Sequence, residues 1–160
     1  MGLSAVQLRA RALALLAQRE HSEQELSRKL HAALLRAAER AGEEPPDDAA
    51  ARVQAVLTAL AAQDLLSDAR YIDSRLRTRA PRLGVRRLAA ELAQHGLKPE
   101  GETWEAVQAT EAERALALLQ RRFGEDPPTD LKEKARRVRF LLSRGFAPGL
   151  AAKLVEGKAA

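Results

Sequence analysis

The chain contains no cysteine, which excludes disulfides, thiolate metal sites and a thiol nucleophile. Aromatic residues make up only 3% of it, so the stacking platforms that read bases in single strands are nearly absent. β-Branched residues are scarce and leave little from which to build strands. No segment approaches the roughly 18 consecutive apolar residues of a spanning helix. Neither a Gly-rich phosphate loop nor a GxSxG elbow is present. His21, His31 and His95 are scattered, with no two at ligand spacing, and fit turn or surface roles better than metal or acid–base work. The carboxylates cluster in exposed helix-start settings, which offer no apolar pocket to raise a pKa for general acid work. The expectation is a protein with no catalytic residue, no metal and no cofactor: not an enzyme.

What the sequence does hold is Ala, Leu, Arg, Glu and Gln, all strong helix formers. At 160 residues a compact fold hides roughly 70% of its extended-chain surface. The 46% apolar fraction is rich in Ala, which buries little area and favours many thin helix-to-helix contacts over one thick core. "MGLSAVQLRARALALL" reads as a helix of the mature protein, because its Arg residues follow the first apolar positions and no small-residue cleavage site closes a clean apolar run. Val6 stands where a myristoylation signal wants Ser or Thr. A cytoplasmic monomer without a membrane partner is expected.

Helical periodicity accounts for almost every segment. Leu8, Ala12, Leu15 and Leu16 step as i, i+4, i+7, i+8. Ser22 followed by Glu25 predicts a capping box before the stripe of Leu26, Leu30, Ala33, Leu34 and Ala37. "AGEEPPDD" (41–48) ends that helix, and Val53, Val56, Leu57 and Leu60 mark the next. Ser67 is a second cap candidate, ahead of Tyr71, Ile72 and Leu76. Val85, Leu88, Ala89 and Leu92 run to Gly96 at a C′ position. A weaker segment holds Trp104 and Val107, with Trp104 and Tyr71 as packing anchors. Ala115, Leu116 and Leu119 come next, then Leu131, Ala135, Val138 and Leu142 up to Gly145. Pro148 suits the first position of a last short helix.

These make about nine helices, an all-α chain. "RALALLAQR" at Arg11 and "RALALLQRR" at Arg114 agree at seven of nine positions. "RRLAAELAQHGL" and "RRVRFLLSRGF" both end in a Gly followed by a large apolar residue. Recurrence at about 50 residues predicts three tandem three-helix repeats forming an elongated, curved array. The expected boundaries are 1–64 (with a longer turn at 41–48), an Arg-rich 65–110, and 111–160.

"LAQREHSEQELSRKL" (16–30), "LLSDARYIDSRLRTR" (65–79) with "GVRRLAAELAQHGL" (84–97), and "KARRVRFLLSRGF" (134–146), in that order, resemble the bacterial RecX family. Arg19, Ser22, Glu25, Leu26 and Leu30 match its first repeat. Leu66, Asp68, Tyr71, Arg75, Gly84, Arg87, Leu88, Glu91, Leu92 and Gly96 match the second, and Arg144, Gly145 and Phe146 the third. Val85 departs from a frequent Pro, which leaves that helix start less rigidly fixed, and the stretch from His31 to Asp48 is longer than usual. The resemblance implies a regulator that lies along the RecA–single-stranded DNA filament and suppresses its growth, ATP turnover and strand exchange.

Charge is sorted into blocks. Between Arg70 and Arg87 seven Arg stand against one Asp, and between Lys132 and Arg144 six basic residues stand against one Glu. Two acidic stretches, Glu39 to Asp48 and Glu100 to Glu113, oppose them. Such segregation steers charged partners. The candidate partner- or DNA-binding residues are Arg70, Arg75, Arg79, Arg82, Arg86, Arg87, Arg136, Arg139 and Arg144. Arg75, Arg79 and Arg82 step by four then three and can share a face opposite Ile72 and Leu76. Arg86 and Arg87 open a helix, where cations oppose the macrodipole and an external anion or carboxylate would supply the reason. Arg136, Arg139 and Arg144 cannot all share one face if Leu131, Ala135 and Val138 are buried. Three readings stay open: a RecA-filament regulator, a basic helical protein with weak nonspecific affinity for single- or double-stranded DNA, and a helical adaptor whose Arg bias is compositional. Contact with about five phosphates would give a log–log salt slope near −4 to −5.

Overall fold

The computed structural model describes residues 2–157, which form nine α-helices and no strand. In chain order they are α1 (Ala5–Gln18), α2 (Glu23–Ala41), α3 (Ala49–Ala62), α4 (Asp68–Arg79), α5 (Val85–Gln94), α6 (Glu102–Ala109), α7 (Glu111–Phe123), α8 (Leu131–Ser143) and α9 (Pro148–Val155). The all-α expectation holds. The chain divides into two compact units, Met1–Tyr71 and Ile72–Ala160, with the boundary inside α4.

In the first unit α1, α2 and α3 pack against one another. Leu8, Ala12, Leu26, Leu30, Leu34, Val53, Leu57 and Leu60 close its core, on the spacings that the sequence marks. The turn between α1 and α2 is built from polar groups. Ser22 Oγ accepts from Glu25 N at 3.0 Å, so the cap forms as expected. The reciprocal half of the box does not, because the Glu25 carboxylate is held by the Arg19 guanidinium. A charge-assisted bond of this kind is roughly twice as strong as a neutral one, and the carboxylate takes it. The two-way box forms instead at the start of α1, between Ser4 and Gln7.

His21 sits in the same turn, and at 1% exposure it lies in the interior and not on the surface. Its Nδ1 is 3.0 Å from the Arg19 carbonyl and its Nε2 is 3.0 Å from Lys29 Nζ. A neutral ring satisfies both, donating from Nδ1 and accepting at Nε2. Burial pushes the imidazole below its ordinary pKa, and the Arg19 and Lys29 charges push the same way.

In the second unit α7, α8 and α9 pack against one another around Ala115, Leu118, Leu119, Leu141, Phe146, Ala151 and Val155. The twin "RALALL" phrases share a buried Ala, Ala12 and Ala115, both at 0% exposure, where a methyl side chain lets the helices approach. Their leading arginines differ. Arg11 is exposed, whereas Arg114 is half-buried and donates to the Ala80, Leu83 and Val107 carbonyls. It thereby supplies donors to carbonyls at the carboxyl end of α6 and in the turn that follows α4. Burial lowers its pKa.

One expected stripe is overturned. Leu131 is 82% exposed, Leu142 is 40% exposed and Ala135 is exposed, so α8 does not bury the Leu131/Ala135/Val138/Leu142 face. It turns Leu141 into the core, with Arg137 and half-buried Val138 alongside. Arg137 reaches the Phe123 ring at 5.2 Å and the Asp126 carbonyl at 2.9 Å, so its stem replaces a leucine in the packing.

The carboxyl end of α8 meets the amino end of α5. Gly84 N donates to the Arg144 carbonyl at 2.7 Å and Arg86 N donates to the Gly145 carbonyl at 3.2 Å. Gly84 and Gly145 permit this crossing. A Cβ on Gly84 would overlap the Gly145 backbone, and one on Gly145 (φ +89) would overlap Arg87. The Gly145 turn also closes α8, through Phe146 N to Leu141 O at 3.1 Å, and Gly96 closes α5 likewise, through Leu97 N to Leu92 O at 3.0 Å.

Gly84→Ala is therefore expected to cost about 2–3 kcal/mol in urea denaturation, since backbone and not a flexible side chain must move. Gly149→Ala, a helical position with open space around it, should be neutral or stabilise by up to about 1 kcal/mol. Equal midpoints for the two variants would refute the close crossing.

Burial alone would raise the Glu25 carboxyl, but the hydrogen bond and charge of Arg19, with His21 and Lys29, bring it down from 4.5 to about 2. The unfolded chain thus takes up this proton first, and the contribution is present above pH 4.5 and lost as pH falls toward 2. With Arg19 half exposed, Glu25→Gln should cost about 1–2 kcal/mol at neutral pH. That deficit should shrink between pH 4.5 and 2 in the same denaturation series. A deficit independent of pH would show that the pair does not titrate with folding.

Candidate partner-binding site

In the second unit, α4, α5 and α8 bring together arginines from both basic blocks. Arg75 and Arg79 lie one turn apart on α4, half-buried along the edge of the stripe that buries Ile72 and Leu76, and not opposite it as the spacing was expected to put them. Arg87 lies in the first turn of α5. All three converge on one carboxylate, Glu91, which is four residues beyond Arg87. Arg79 grips it two-handed, Nη2 to Oε1 at 2.9 Å and Nε to Oε2 at 3.3 Å. Arg75 and Arg87 stand farther off, at 3.7 and 3.8 Å. The Arg79 hydrogen bond, then its charge and those of Arg75 and Arg87, hold Glu91 below the usual carboxylate range. One anion cannot neutralise three cations, so two positive charges remain in excess. A phosphate or carboxylate arriving here meets guanidinium groups already gathered and partly desolvated.

The α5–α8 crossing extends this cluster. Arg87 Nη1 donates to the Ser143 carbonyl at 3.2 Å, and the backbone bonds of Gly84 and Arg86 set Arg86 and Arg87 beside Arg144. Arg144 lies over the Phe140 ring at 5.2 Å. Arg82 is not on the α4 face that its spacing suggests. The helix ends at Arg79, and Arg82 falls in the turn that follows, exposed. Arg82, Arg86 and Arg139 are exposed and have no carboxylate at ion-pair distance among the described residues.

The local conflict of two cations opening α5 is resolved inside the chain. Glu111, the first residue of α7, accepts from Val85 N at 3.1 Å and supplies the acid that the helix start lacks. That bond needs the N–H which a proline at 85 would not have. The carbonyls of α8 add partial negative charge at the same end.

Two other sequence candidates stand elsewhere. Arg70 belongs to the first unit and is claimed by Glu20 and Asp64, each at 3.0 Å. Asp64 reaches it from a left-handed position (φ 58). Arg136 is paired at 3.7 Å with Glu133 and stacks on Phe123 at 5.4 Å.

Glu91 and Glu111 had no assigned role in the sequence reading. The signals for Glu91 were its place, with Arg75 and Arg87, in the RecX second-repeat pattern and its i+4 spacing from Arg87, an ordinary helix pair. Nothing in sequence announces that Arg75 and Arg79 reach the same carboxylate. No group of three or more His, Asp or Glu that could hold a metal occurs among the described residues. No helix among them is long and apolar enough to cross a membrane.

The family model described as RecX, third three-helix domain, matches residues 109–155. A regulatory protein RecX of Ralstonia pickettii (strain 12J) is 40% identical over 152 residues, covering 94% of this chain and 87% of that protein. One from Leptothrix cholodnii (strain ATCC 51168 / LMG 8142 / SP-6) is 45% identical over 142 residues, covering 88% and 82%. The crystal structure of RecX from Lactobacillus salivarius shares the fold, with a TM-score of 0.65 at 18% identity over 96% of this chain and 95% of that one.

Glu91→Gln should free the three arginines while changing stability by less than about 1 kcal/mol, because the pairs are partly solvated. Affinity for a single-stranded oligonucleotide, measured by fluorescence anisotropy, should rise. Its salt slope should steepen by about 0.7 for each additional phosphate engaged. Weaker binding would instead make Glu91 the residue that holds the arginines in register.

Proposed function

The chain belongs to the RecX family of regulatory proteins, and on that premise we propose that it binds the RecA–single-stranded DNA filament and restrains its growth, ATP turnover and strand exchange. The observation that carries this reading is the gathering of Arg75, Arg79 and Arg87 on a single carboxylate, continuous with Arg86 and Arg144. A nucleoprotein polymer presents repeated phosphates and acidic side chains, and a concentrated cation surplus supports recognition of either. Few aromatic residues are available for stacking, which supports contact through charge and shape instead of base reading.

The same reading makes the protein a modulator and not a catalyst. Glu25 and Glu91 are held ionised by arginines, the opposite of the raised pKa that a general acid needs at neutral pH. We read the chain as three tandem three-helix repeats, 1–64, 65–110 and 111–160, acting as a cytoplasmic monomer. The mutual packing of α1–α3 and of α7–α9, and the family match at 109–155, support the outer two repeats.

The test is RecA-catalysed ATP turnover on single-stranded DNA, titrated with this protein at several salt concentrations. Reversal of the exposed and unpaired Arg82 and Arg86 to Glu should raise the half-inhibitory concentration about tenfold or more, for two lost charge contacts. Affinity for naked DNA should change far less. Parallel loss of both activities would favour a nonspecific DNA-binding protein. Turnover unaffected by stoichiometric wild-type protein would refute the reading.

A further inference from the structure

The sequence of α8 writes an apolar stripe that the fold leaves uncovered. Leu131, Ala135, Val138 and Leu142 step by four, three and four, so they occupy one narrow face about 16 Å long. Leu131 is 82% exposed and Leu142 40%, Ala135 is exposed, and Val138 is half-buried. The helix packs into its own unit through the neighbouring face, with Leu141 at 0% exposure and Arg137 over Phe123. At about 100° per residue, Lys132 and Arg139 form a basic edge beside the stripe, while Arg136 turns away onto the Phe123 ring. Lys132 and Arg139 have no carboxylate at ion-pair distance among the described residues, and Arg136 has one at 3.7 Å.

We propose that this face of α8 is a docking surface for a protein that carries an apolar row edged by carboxylates. Each feature of the face selects that occupant. Leucines are not covered by phosphates, and the one aromatic ring of α8, Phe140, lies on the far side of the helix from the stripe, against Phe123 and Arg144. Nucleic acid alone therefore leaves the stripe wet. The unmatched basic edge asks for acid on one side only. Four side chains on one helix offer on the order of 300–400 Å², well short of what a self-sufficient dimer buries. The face thus works as an auxiliary contact within a larger association, not as the seam between two copies of this chain.

The proposal rests on the filament reading for the identity of that protein, and it assigns α8 to the recombinase subunits and not to the DNA. The variants are Leu131→Glu, at a position too exposed to disturb folding, and Leu131→Glu/Leu142→Glu. Each is checked by thermal melting and titrated by anisotropy onto labelled single-stranded DNA, bare or coated with RecA. The double variant should bind the coated strand about tenfold more weakly, the single variant less so, and both should lose far less on the bare strand, where only the added charge acts. The wild-type advantage on the coated strand should shrink but persist at raised salt, because the charge that Glu introduces is screened and the lost apolar contact is not.

Equal binding of wild type and double variant to the coated strand would overturn this inference and leave the filament reading standing. Failure of the wild-type protein to bind the coated strand would overturn both. Wild-type self-association in sedimentation, or binding to phosphatidylserine vesicles, abolished by Leu131→Glu without any change on the coated strand, would assign the face to another occupant and overturn the proposal.

Discussion

The carboxyl end of α8 resting on the amino end of α5 is the contact from which the rest of the second unit follows. Helix ends carry opposite partial charges and unsatisfied backbone groups, and here each end answers the other. The arrangement works only because Gly84 and Gly145 remove two side chains from the crossing. It fixes α5 relative to α8 at backbone precision, and so it places Arg86 and Arg87 beside Arg144. Arg114 completes the frame by capping the carbonyls of Ala80, Leu83 and Val107.

On that frame, electrostatic frustration is arranged and not avoided. Two arginines open a helix, a placement helices disfavour, and Glu111 together with the α8 carbonyls offsets it. Three arginines share Glu91, which is enough to order them and too little to neutralise them. The first unit handles charge differently. There three acids, Glu20, Glu25 and Asp64, balance three cations, Arg19, Lys29 and Arg70. Matched pairs hold structure, and surplus charge is what a partner can use.

Much of the scaffold was legible from residue spacing, because a helix converts sequence distance into a face. The stripes of α1 to α3, the cap at Ser22, the glycine endings at Gly96 and Gly145 and the proline start of α9 lie where spacing and turn chemistry put them. Errors arose where two physical preferences competed. Periodicity on α8 fits two adjacent faces, and the aliphatic stems of Arg137 and Lys134 can line the inner one as well as leucines can line the outer. At Glu25 a capping box and an ion pair compete for the same oxygens, and the charged partner prevails. His21 does lie in a turn, as its spacing suggests, but in the interior and not at the surface, with Lys29 of the next helix 3.0 Å from its Nε2.

The sequence by itself determined that the chain is helical, where most helices begin and end, and that its arginines are concentrated in two blocks. Those are local properties, decided by neighbours within four residues along the chain. Which arginines would be spent on internal carboxylates and which would stay free was decided only by tertiary structure. Glu91 meets Arg75 and Arg79 because α4 and α5 fold back on each other, and Arg144 joins Arg86 because two glycines let backbones touch. Charge neutralisation depends on distance in space, and no count along the chain contains that distance.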